Sequence, residues 1–440
     1  MTQQLQVVVG LGKTGLSLVR YLARQGAPVA AVDTREQPPG LAQIRAELPQ
    51  IELHCGSLDT PLLQQAQTLY VSPGLALSTA QIQREIARGV RISGDVDLFL
   101  QLAKAPVIAI TGSNAKSTVT ALVGLMAEKA GLKVAVGGNI GTPVLDLLSD
   151  EVELYVLELS SFQLETISHL QAKVATCLNI SADHLDRYRD LQHYAGVKLQ
   201  VYRNADWAVI NRDDVAAQPE SIEGQVLSFG QSVPAAQNEL GLRDGHLARG
   251  NENLLAVDQL KIRGQHNQLN ALAALALGTA ADLPEAAMLD ALREFPGLEH
   301  RCQWVSGKLG LNWYNDSKAT NIGATLAALE GLGDDSHKLV LIAGGDGKGA
   351  DFGELTDAVS QHCRALVLLG RDAAQIRDAL ATTAVPVTMV DTLDEAVAKA
   401  ADLAQPGDTV LLAPACSSLD MFRSFEQRGE LFVRAVEELA

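Results

Sequence analysis

The sequence is short of aromatic residues, of clustered cysteines and of long apolar runs. Aromatic side chains make up only 4% of its 440 residues, so its cores must rest on Val, Leu, Ile and Ala, which is typical of parallel sheets covered by helices. The five cysteines include no CxxC pair, which favours free thiols in a reducing compartment over a metal site. The longest apolar stretch, near residues 271–281, is interrupted by Gly278 and is too short for a membrane span.

Positive charge is also scarce, because 35 Lys and Arg residues face 52 Asp and Glu residues and leave a net charge of −17. A field of that sign repels nucleic acid and anionic membranes, so we expect binding to neither. It does not exclude a small anionic substrate, because local loops can be basic. Residues 1–10 lack the basic segment and cleavage site of a signal peptide, so we expect a cytoplasmic protein, and we expect a monomer.

Strand and helix patterns alternate along the chain in three successive units, and the length is too great for one hydrophobic core. We predict an α/β protein of three domains. They are a Rossmann-like N-terminal domain at residues 1–93, a P-loop-type central mononucleotide-binding domain at residues 94–298 and a Rossmann-like C-terminal domain at residues 299–440. Residues 212–262 are rich in turn residues, and we predict an irregular excursion there.

A glycine-rich turn, Gly10-x-Gly12-x-x-Gly15, follows the first predicted strand, and Asp33 ends the next one. Glycines let the backbone approach a pyrophosphate, and the following helix N-terminus offers free N–H donors. Taken alone, this pattern favours a nicotinamide-dependent oxidoreductase, although a packing turn without ligand has the same appearance. The motif fits any pyrophosphate, including that of a UDP-sugar, so it does not identify the ligand.

A second loop, at residues 112–118, is a sharper signal because it follows a buried strand and opens a helix. Lys116 is expected to neutralise the β- and γ-phosphates, and the hydroxyl of Ser117 or Thr118 is expected to reach Mg²⁺. Ala115 is irregular, because a glycine usually precedes this lysine. If the position needs a positive φ, alanine costs roughly 1–2 kcal/mol there. A degenerate loop that binds nothing is the alternative.

Further candidates follow other strands or lie on a helix. Glu158 stands at a strand end near the phosphate loop, where a metal ligand is common, although a helix dipole also favours glutamate there. His184 lies between Asp183 and Asp186 and could ligate a divalent metal, or the three could be capping and surface residues. Lys198 lies in a helical stretch, and composition alone predicts a solvated side chain.

The third unit carries three polar loops at predicted strand ends, at residues 315–321, 344–349 and 414–422. Each could be ordinary turn chemistry. Because the carboxyl ends of parallel strands meet at one edge of a sheet, we expect the three loops to converge on a ligand.

With these motifs in place, the sequence resembles the Mur ligases over essentially its whole length. Eight blocks in order carry the resemblance: TGSNAKST at 111–118, LELSSFQLE at 157–165, NISADHLDRY at 179–188, RGQHNQLNALAA at 263–274, LEHRCQW at 298–304, NDSKATN at 315–321, GGDGKGADF at 344–352 and PACSSLDMF at 414–422. Within the family it is similar to the branch that adds D-glutamate to UDP-N-acetylmuramoyl-L-alanine.

The resemblance implies an ATP-dependent ligase of peptidoglycan synthesis that works through an acyl phosphate. It implies Mg²⁺ or Mn²⁺ as the metal, held by Ser117, Glu158, His184 and a carbamylated Lys198, which overturns the solvated interpretation of that lysine. It implies catalytic roles for Lys116, Glu158, His184 and Lys198. A carboxylate is a poor electrophile, so phosphorylation supplies the leaving group and catalysis rests on positioning and charge neutralisation.

The resemblance also implies three groups of binding residues. The UDP-linked substrate is expected at Leu11, Lys13, Thr14, Asp33, Thr34, Arg35, Gly74, Asn139 and Ser160. ATP is expected at Gly112, Asn114, Ala115, Lys116, Ser117, Thr118, Asn267, Asn270, Arg301, Asp316 and Lys318. D-Glutamate is expected at Thr320, Lys348, Ser418, Leu419 and Phe425.

Two departures leave alternatives. Ala115 puts the ATP affinity in question and motivates a non-catalytic nucleotide-binding regulator, which the presence of Lys116, Glu158, His184 and Lys198 together disfavours. The Asp-Asn-Pro-Arg block of the relatives that add diaminopimelate or lysine is absent, which disfavours that branch. Because ATP and the amine lie in different units, we also expect domain closure.

Overall fold

The computed structural model describes residues 5–184, 187–262, 264–333 and 337–439 and contains three sheets. Asp186 and Arg263, which belong to two of the sequence blocks above, lie outside the described residues. The three sheets follow one another along the chain, as the alternating strand and helix patterns predict. The domain boundaries remain predictions.

The first sheet has five strands in the order β3-β2-β1-β4-β5, and all of its pairs are parallel. Its strands are β1 (Gln6–Val9), β2 (Val29–Asp33), β3 (Glu52–Cys55), β4 (Thr68–Val71) and β5 (Arg91–Ser93), and its helices are α1 (Lys13–Arg24), α2 (Leu41–Glu47), α3 (Pro61–Gln65), α4 (Ala80–Ala87) and α5 (Asp95–Leu102). Strand β1 lies at the centre because its apolar residues are buried on both faces.

The central sheet has nine strands in the order β14-β13-β12-β11-β10-β9-β6-β8-β7. Its strands are β6 (Val107–Thr111), β7 (Val134–Gly138), β8 (Leu154–Glu158), β9 (Val174–Cys177), β10 (Trp207–Asn211), β11 (Gln225–Phe229), β12 (Glu239–Arg243), β13 (His246–Arg249) and β14 (Glu252–Ala256). The helices are α6 (Lys116–Lys129), α7 (Ser161–Leu164), α8 (Leu191–Leu199), α9 (Gln265–Ala280) and α10 (Glu285–Glu294).

The prediction of an irregular excursion at residues 212–262 is wrong, because this segment supplies β11 to β14. β11 and β12 continue the parallel sheet, and β12 to β14 form antiparallel hairpins. The strands are short and separated by turn residues, so their alternation is too brief to stand out in the sequence. Leu240, Leu247 and Leu255 bury their side chains in the same core as α9, which is what makes the strands stable.

The third sheet has six strands in the order β15-β16-β20-β17-β18-β19. Its strands are β15 (Gln303–Ser306), β16 (Asn312–Asn315), β17 (Leu339–Ala343), β18 (Cys363–Leu368), β19 (Val387–Met389) and β20 (Thr409–Leu412), and its helices are α11 (Ile322–Leu332), α12 (Thr356–His362), α13 (Ala373–Ala379), α14 (Leu393–Leu403) and α15 (Phe425–Glu438). All pairs are parallel except that of the edge strand β15 with β16, a pair that sequence reasoning missed.

Six short 3-10 helices complete the regular structure of the described residues: Val144–Leu147, Gln200–Tyr202, Val215–Ala217, Val257–Gln259, Lys308–Gly310 and Phe352–Leu355. Among the helices of the described ranges, none has the length and apolar character needed to cross a bilayer.

Candidate active site

The phosphate loop, residues 111–118, joins the buried strand β6 to α6. Its backbone takes two left-handed conformations, at Gly112 (φ +150°) and at Ala115 (φ +66°). Asn179, at the end of β9, braces the loop because its side-chain oxygen accepts from the Asn114 N–H at 2.8 Å. Ala115 is therefore in the conformation that costs alanine roughly 1–2 kcal/mol, and the surrounding contacts hold it there.

Lys116 begins α6 and folds its side chain back over the loop. The Nζ atom donates to the carbonyl oxygens of Gly112 at 2.8 Å and Ser113 at 2.9 Å. Burial lowers the pKa of this ammonium group from its ordinary value, and the Glu158 carboxylate opposes the shift. Lys116 thus presents a cation beside free N–H groups at a helix N-terminus, the arrangement that favours phosphate.

A hydrogen-bonded chain connects the phosphate loop to three other segments. Ser117 donates its hydroxyl to Glu158 Oε2 at 2.6 Å and accepts from Arg301 Nη2 at 2.6 Å. Asn139 Nδ2 donates to Glu158 Oε1 at 2.7 Å. The chain therefore brings together four predicted site residues from β8, α6, the β7 loop and the start of the third unit.

These side chains fit a small divalent cation. The Glu158 carboxylate is only 1% exposed, and the Ser117 hydroxyl is hydrogen-bonded to it. Two hard oxygen ligands therefore lie side by side. The described ranges hold no group of three or more His, Cys, Asp and Glu side chains suited to a metal. Mg²⁺ tolerates such a sparse protein shell because it commonly keeps waters and takes its other ligands from substrate phosphates.

Lys198 is buried rather than solvated, with 1% of its surface exposed, so the interpretation from composition is wrong. Its Nζ donates to the Gly112 carbonyl oxygen at 2.8 Å and lies 4.9 Å from the centre of the Tyr194 ring. Burial, with a smaller contribution from Lys116, lowers the pKa of Lys198 to about 7. The lowered pKa makes the uncharged, nucleophilic form of this amine more accessible near neutral pH than it is for an ordinary lysine.

A cavity of about 600 Å³ opens beside the phosphate loop, between the central and third units. It has room for a nucleotide. Predicted ATP residues that line it are Asn114, Ala115, Thr118, Asn267, Asn270, Arg301, Asp316 and Lys318. Asn270 donates to the Asn267 side-chain oxygen at 3.1 Å, which orients both amides.

Charged groups on the third-unit side of this cavity have shifted pKa values. Burial raises the pKa of Asp316 to about 6. Burial, followed by the charges of Arg301 and Lys116, lowers the pKa of Lys318 to about 8, and its Nζ lies 3.8 Å over the Phe425 ring. Burial also lowers the pKa of Arg301. Such crowded cations favour an anionic ligand, which would relieve their mutual repulsion.

A second group of charged residues joins the central and third units. Lys348 Nζ donates to Asp183 Oδ1 at 3.0 Å, and Asn321 Nδ2 donates to Asp183 Oδ2 at 3.2 Å. The pKa of the Asp183 carboxyl lies below its ordinary value. Burial alone would raise this pKa, but the charges of Lys348 and His184 outweigh the effect of burial. His184 has φ +54°, and its ring lies 4.8 Å from the Phe162 ring. The loop of Lys348 therefore reaches the loop of His184.

The remaining predicted residues of the third unit lie on its loops or helix starts. Ser418 is buried, Leu419 is exposed, Thr320 is half-buried before α11, and Phe425 begins α15. Ser160 caps α7, because its hydroxyl accepts from the Gln163 N–H while the Gln163 side chain accepts from the Ser160 N–H. The structure thus gives Ser160 a structural role, and its role in binding substrate stays a prediction.

The predicted UDP-linked site lies at the carboxyl edge of the first sheet. Asp33 is 1% exposed, accepts from the Leu11 N–H at 2.6 Å and is paired with Arg35 at 2.7 Å. Burial raises the pKa of the Asp33 carboxyl, but the bonds from Arg35 and Leu11 outweigh it and keep the pKa below its ordinary value. The other predicted residues here are exposed or half-buried: Lys13, Thr14, Thr34 and Gly74. None of this group lines the cavity beside the phosphate loop.

Sequence reasoning missed two residues that support the site. Tyr194 lies 3.1 Å from the Ser113 hydroxyl and under Lys198, and Asn179 braces the phosphate loop. The sequence did offer a signal for Asn179, because this residue begins the NISADHLDRY block and follows a predicted strand. Tyr194 gave none, because an aromatic residue on a helix ordinarily belongs to the core.

Comparison with protein-family models matches the chain in three consecutive parts. Residues 4–94 match the model described as Mur ligase MurD-like, N-terminal domain. Residues 110–278 match the Mur ligase middle domain, and residues 300–416 match the Mur ligase, glutamate ligase domain. The three matches together cover most of the chain, in the same order as the three sheets.

Individual relatives extend the likeness over the full length. Proteins from Pseudomonas putida and Pseudomonas aeruginosa, both named UDP-N-acetylmuramoylalanine--D-glutamate ligase, are 58% and 59% identical. The alignments cover 100% and 99% of this chain and 98% of each relative.

Among solved structures, the fold is similar to that of a pseudomurein peptide ligase type C from Methanothermus fervidus, with a TM-score of 0.64 at 18% identity over 99% of this chain and 100% of that one. It is also similar to the UDP-N-acetylmuramate-alanine ligase from Thermotoga maritima, with a TM-score of 0.59 at 19% identity over 99% of both chains.

Proposed function

The chain belongs to the Mur ligase family, and from that premise we propose that it joins D-glutamate to UDP-N-acetylmuramoyl-L-alanine with cleavage of ATP to ADP and phosphate. The protein is an ATP-dependent ligase that forms an amide bond in peptidoglycan synthesis. The observation that carries the proposal is the series of hydrogen bonds that joins Arg301, Ser117, Glu158 and Asn139 beside the nucleotide-sized cavity. We expect the reaction in the cytoplasm, where ATP is consumed and free thiols stay reduced.

In the first half-reaction, a carboxylate oxygen of the alanyl group bonds to the γ-phosphorus of ATP, and ADP departs. Lys116 and the N-terminus of α6 are placed to hold the phosphate oxygens, because both present positive potential at the loop. Arg301 enters from the third unit, so its guanidinium is available to balance charge that develops on the phosphate. These groups lower the barrier by positioning and by charge, without bonding to the substrate.

In the second half-reaction, the neutral amine of D-glutamate bonds to the acyl carbon, the bond from that carbon to the phosphate oxygen breaks, and the amine proton leaves with the departing phosphate. Lys348 is the expected partner for a glutamate carboxylate, since it is a cation at the meeting of the two units. It is now paired with Asp183, so glutamate must compete for its ammonium group. Ser418, Leu419, Thr320 and Phe425 complete the expected glutamate site.

Glu158 and Ser117 would hold Mg²⁺, which when bound supplies positive charge to the phosphates of ATP. We propose that Lys198 is carbamylated and adds a carboxylate there. Two observations support this proposal: its Nζ is buried beneath the phosphate loop, and its lowered pKa leaves a neutral amine that can add to CO₂. His184 is the fourth proposed ligand.

The nicotinamide oxidoreductase suggested by the glycine turn, residues 10–15, has no support among the relatives. Here the turn serves a UDP-linked substrate in our proposal. Asp33, whose side chain such an enzyme would offer to a ribose, already accepts from Leu11 and Arg35.

The test is ADP release with purified protein, Mg²⁺ and ATP, with UDP-N-acetylmuramoyl-L-alanine and D-glutamate each present or omitted. We expect release only when both are present, and a product whose mass equals the sum of the two substrates less water. Replacement of D-glutamate by L-glutamate, L-alanine or diaminopimelate should give little release. Equal ADP release with diaminopimelate would reject D-glutamate as the specific amine substrate. Consumption of NAD(P)H would reject the assignment as a ligase.

Carbamylation has a separate test. Intact-mass analysis under CO₂-saturated, non-acidic conditions should show an added 44 Da that is lost in Lys198→Arg, whose guanidinium does not react with CO₂. An unmodified wild-type mass with full activity would exclude the modification as a requirement.

A further inference from the structure

Arg187 lies between the first and central units, and its side chain is only 12% exposed. Its Nη1 donates to the Pro73 carbonyl oxygen at 2.7 Å, and its Nη2 donates to the Leu75 carbonyl oxygen at 3.1 Å. Nη2 also pairs with Glu165 Oε2 at 2.7 Å, and the guanidinium carbon lies 3.9 Å from the centre of the Phe162 ring. One side chain therefore binds backbone of the first unit and two side chains of the central unit.

On the first-unit side, Arg187 holds the Ser72 turn, which we define as residues 72–75. The Leu75 N–H donates to the Ser72 carbonyl oxygen at 3.0 Å and closes this turn. The Ser72 hydroxyl in turn donates to the Gly10 carbonyl oxygen at 2.8 Å. Gly10 begins the glycine turn, so the two loops of the proposed UDP-linked site form one hydrogen-bonded unit that ends on Arg187.

On the central side, the partners of Arg187 contact residues of the reaction site. The Phe162 ring lies 4.8 Å from the ring of His184. Glu165 accepts at 2.6 Å from the hydroxyl of Tyr188, whose ring lies 5.2 Å from that of Tyr194. Tyr194 reaches the phosphate loop through Ser113. A continuous set of contacts thus runs from the glycine turn to His184 and to the phosphate loop.

We propose that Arg187 is a positioning residue that sets where the UDP-linked substrate lies relative to the acyl-transfer site, an inference that rests on the proposed function. The physical reason is the planar guanidinium, which donates in several fixed directions and satisfies two carbonyl oxygens and a carboxylate together. Lysine offers a point charge and cannot keep that geometry. A displacement of even about 1 Å between reacting atoms can lower a rate by roughly 10²-fold.

The kinetic test uses Arg187→Lys and Arg187→Ala, with Arg189→Ala as the matched control because Arg189 is exposed two residues away. We expect kcat/KM for the UDP-linked substrate to fall about tenfold or more in Arg187→Ala, while KM for ATP changes by less than about threefold. Arg187→Lys should also lower kcat/KM for the UDP-linked substrate, but by a smaller factor. Arg189→Ala should match the wild type.

A binding test separates positioning from general damage. Calorimetric titration of UDP-N-acetylmuramoyl-L-alanine and of ADP into each variant should show weaker binding of the first ligand and unchanged binding of the second. Glu165→Gln, which keeps shape but removes the charge pair, should show the same selectivity with a smaller loss. Equal loss of both ligands would mean that Arg187 is only structural, and unchanged binding and rates would mean that it has no role.

The outcome for the proposed function is read from the wild type alone. If wild-type protein releases no ADP with both substrates, the proposed function is wrong. If it does so and Arg187→Ala retains wild-type kcat/KM for the UDP-linked substrate, only the inference is wrong. Should Arg187→Ala fail to fold, Arg187→Lys and Glu165→Gln carry the same comparison.

Discussion

The glycine turn and the phosphate loop share one local plan, a buried strand that leads through glycines into a helix, yet they offer different chemistry. In the glycine turn, Gly10 and Gly15 serve close packing, because a Cβ at Gly15 would lie 1.8 Å from the Gly10 carbonyl oxygen and a Cβ at Gly10 would lie 2.8 Å from the Ser72 Cβ. In the phosphate loop a non-glycine residue, Ala115, takes the left-handed conformation, and Lys116 and Ser117 follow it. From this difference we expect the glycine turn to bind its ligand mainly through shape and backbone N–H groups, and the phosphate loop to bind its ligand mainly through charge.

The largest expected effect separates the two sites by charge. Lys116→Met should lower kcat by roughly 10²–10³-fold, because it removes a preorganised cation from the reacting phosphate. Lys13→Met, the matched change in the glycine turn, removes an exposed cation of the proposed UDP-linked site, away from the reacting phosphate. It should weaken binding of that substrate but alter kcat by less than about threefold. Steady-state ADP release measures both. Similar losses of kcat in the two variants would contradict the view that charge matters more for the reaction at the phosphate loop than at the glycine turn.

The second prediction compares two glycines of the glycine turn by the room that each leaves for a methyl group. Gly15→Ala should destabilise the protein by about 2–3 kcal/mol, because the new methyl group overlaps the Gly10 carbonyl. Gly12→Ala, where no atom lies within 4 Å of a new Cβ, should cost less than about 1 kcal/mol. It should still weaken binding of the UDP-linked substrate, since the methyl group occupies space left for a ligand. Urea unfolding and ligand titration test the pair, and equal stability of the two variants would contradict it.

The third prediction uses pH. Lys318 has a pKa of about 8, so it is charged at pH 7 and mostly neutral at pH 9. An anionic nucleotide binds the protonated form better, so ADP affinity should fall by up to about tenfold as pH rises from 7 to 9. Calorimetry at several pH values measures this fall. Lys318→Arg, which stays charged, should flatten the dependence, and an unchanged slope in that variant would assign the effect to another group.

The smallest expected effect concerns Ala115. Ala115→Gly removes roughly 1–2 kcal/mol of left-handed strain but loses about 0.5–1 kcal/mol to the greater freedom of glycine in the unfolded chain. We expect a gain of between zero and about 1.5 kcal/mol in unfolding free energy and a change in ADP affinity below about threefold. A loss of affinity of tenfold or more would show that the alanine methyl group itself contacts the nucleotide.

Much of the site was predictable because its loops follow strong strands. Lys116, Ser117 and Glu158 meet as expected, since parallel strands end at one edge of a sheet. The strands of residues 212–262 were not predictable, because each is short and gains its stability from packing against α9. The burial of Lys198 was hidden for a related reason, since a helix alone does not reveal which face the rest of the chain covers.

The sequence by itself determined the three α/β units, the phosphate loop and the types of side chain that follow the strands, because these depend on local order and periodicity. Only the tertiary structure decided that Arg301 from the third unit reaches Ser117, that Lys348 reaches Asp183 and that Arg187 holds the Ser72 turn. These contacts join residues far apart in the chain. They depend on how separately folded layers pack, which no local pattern encodes.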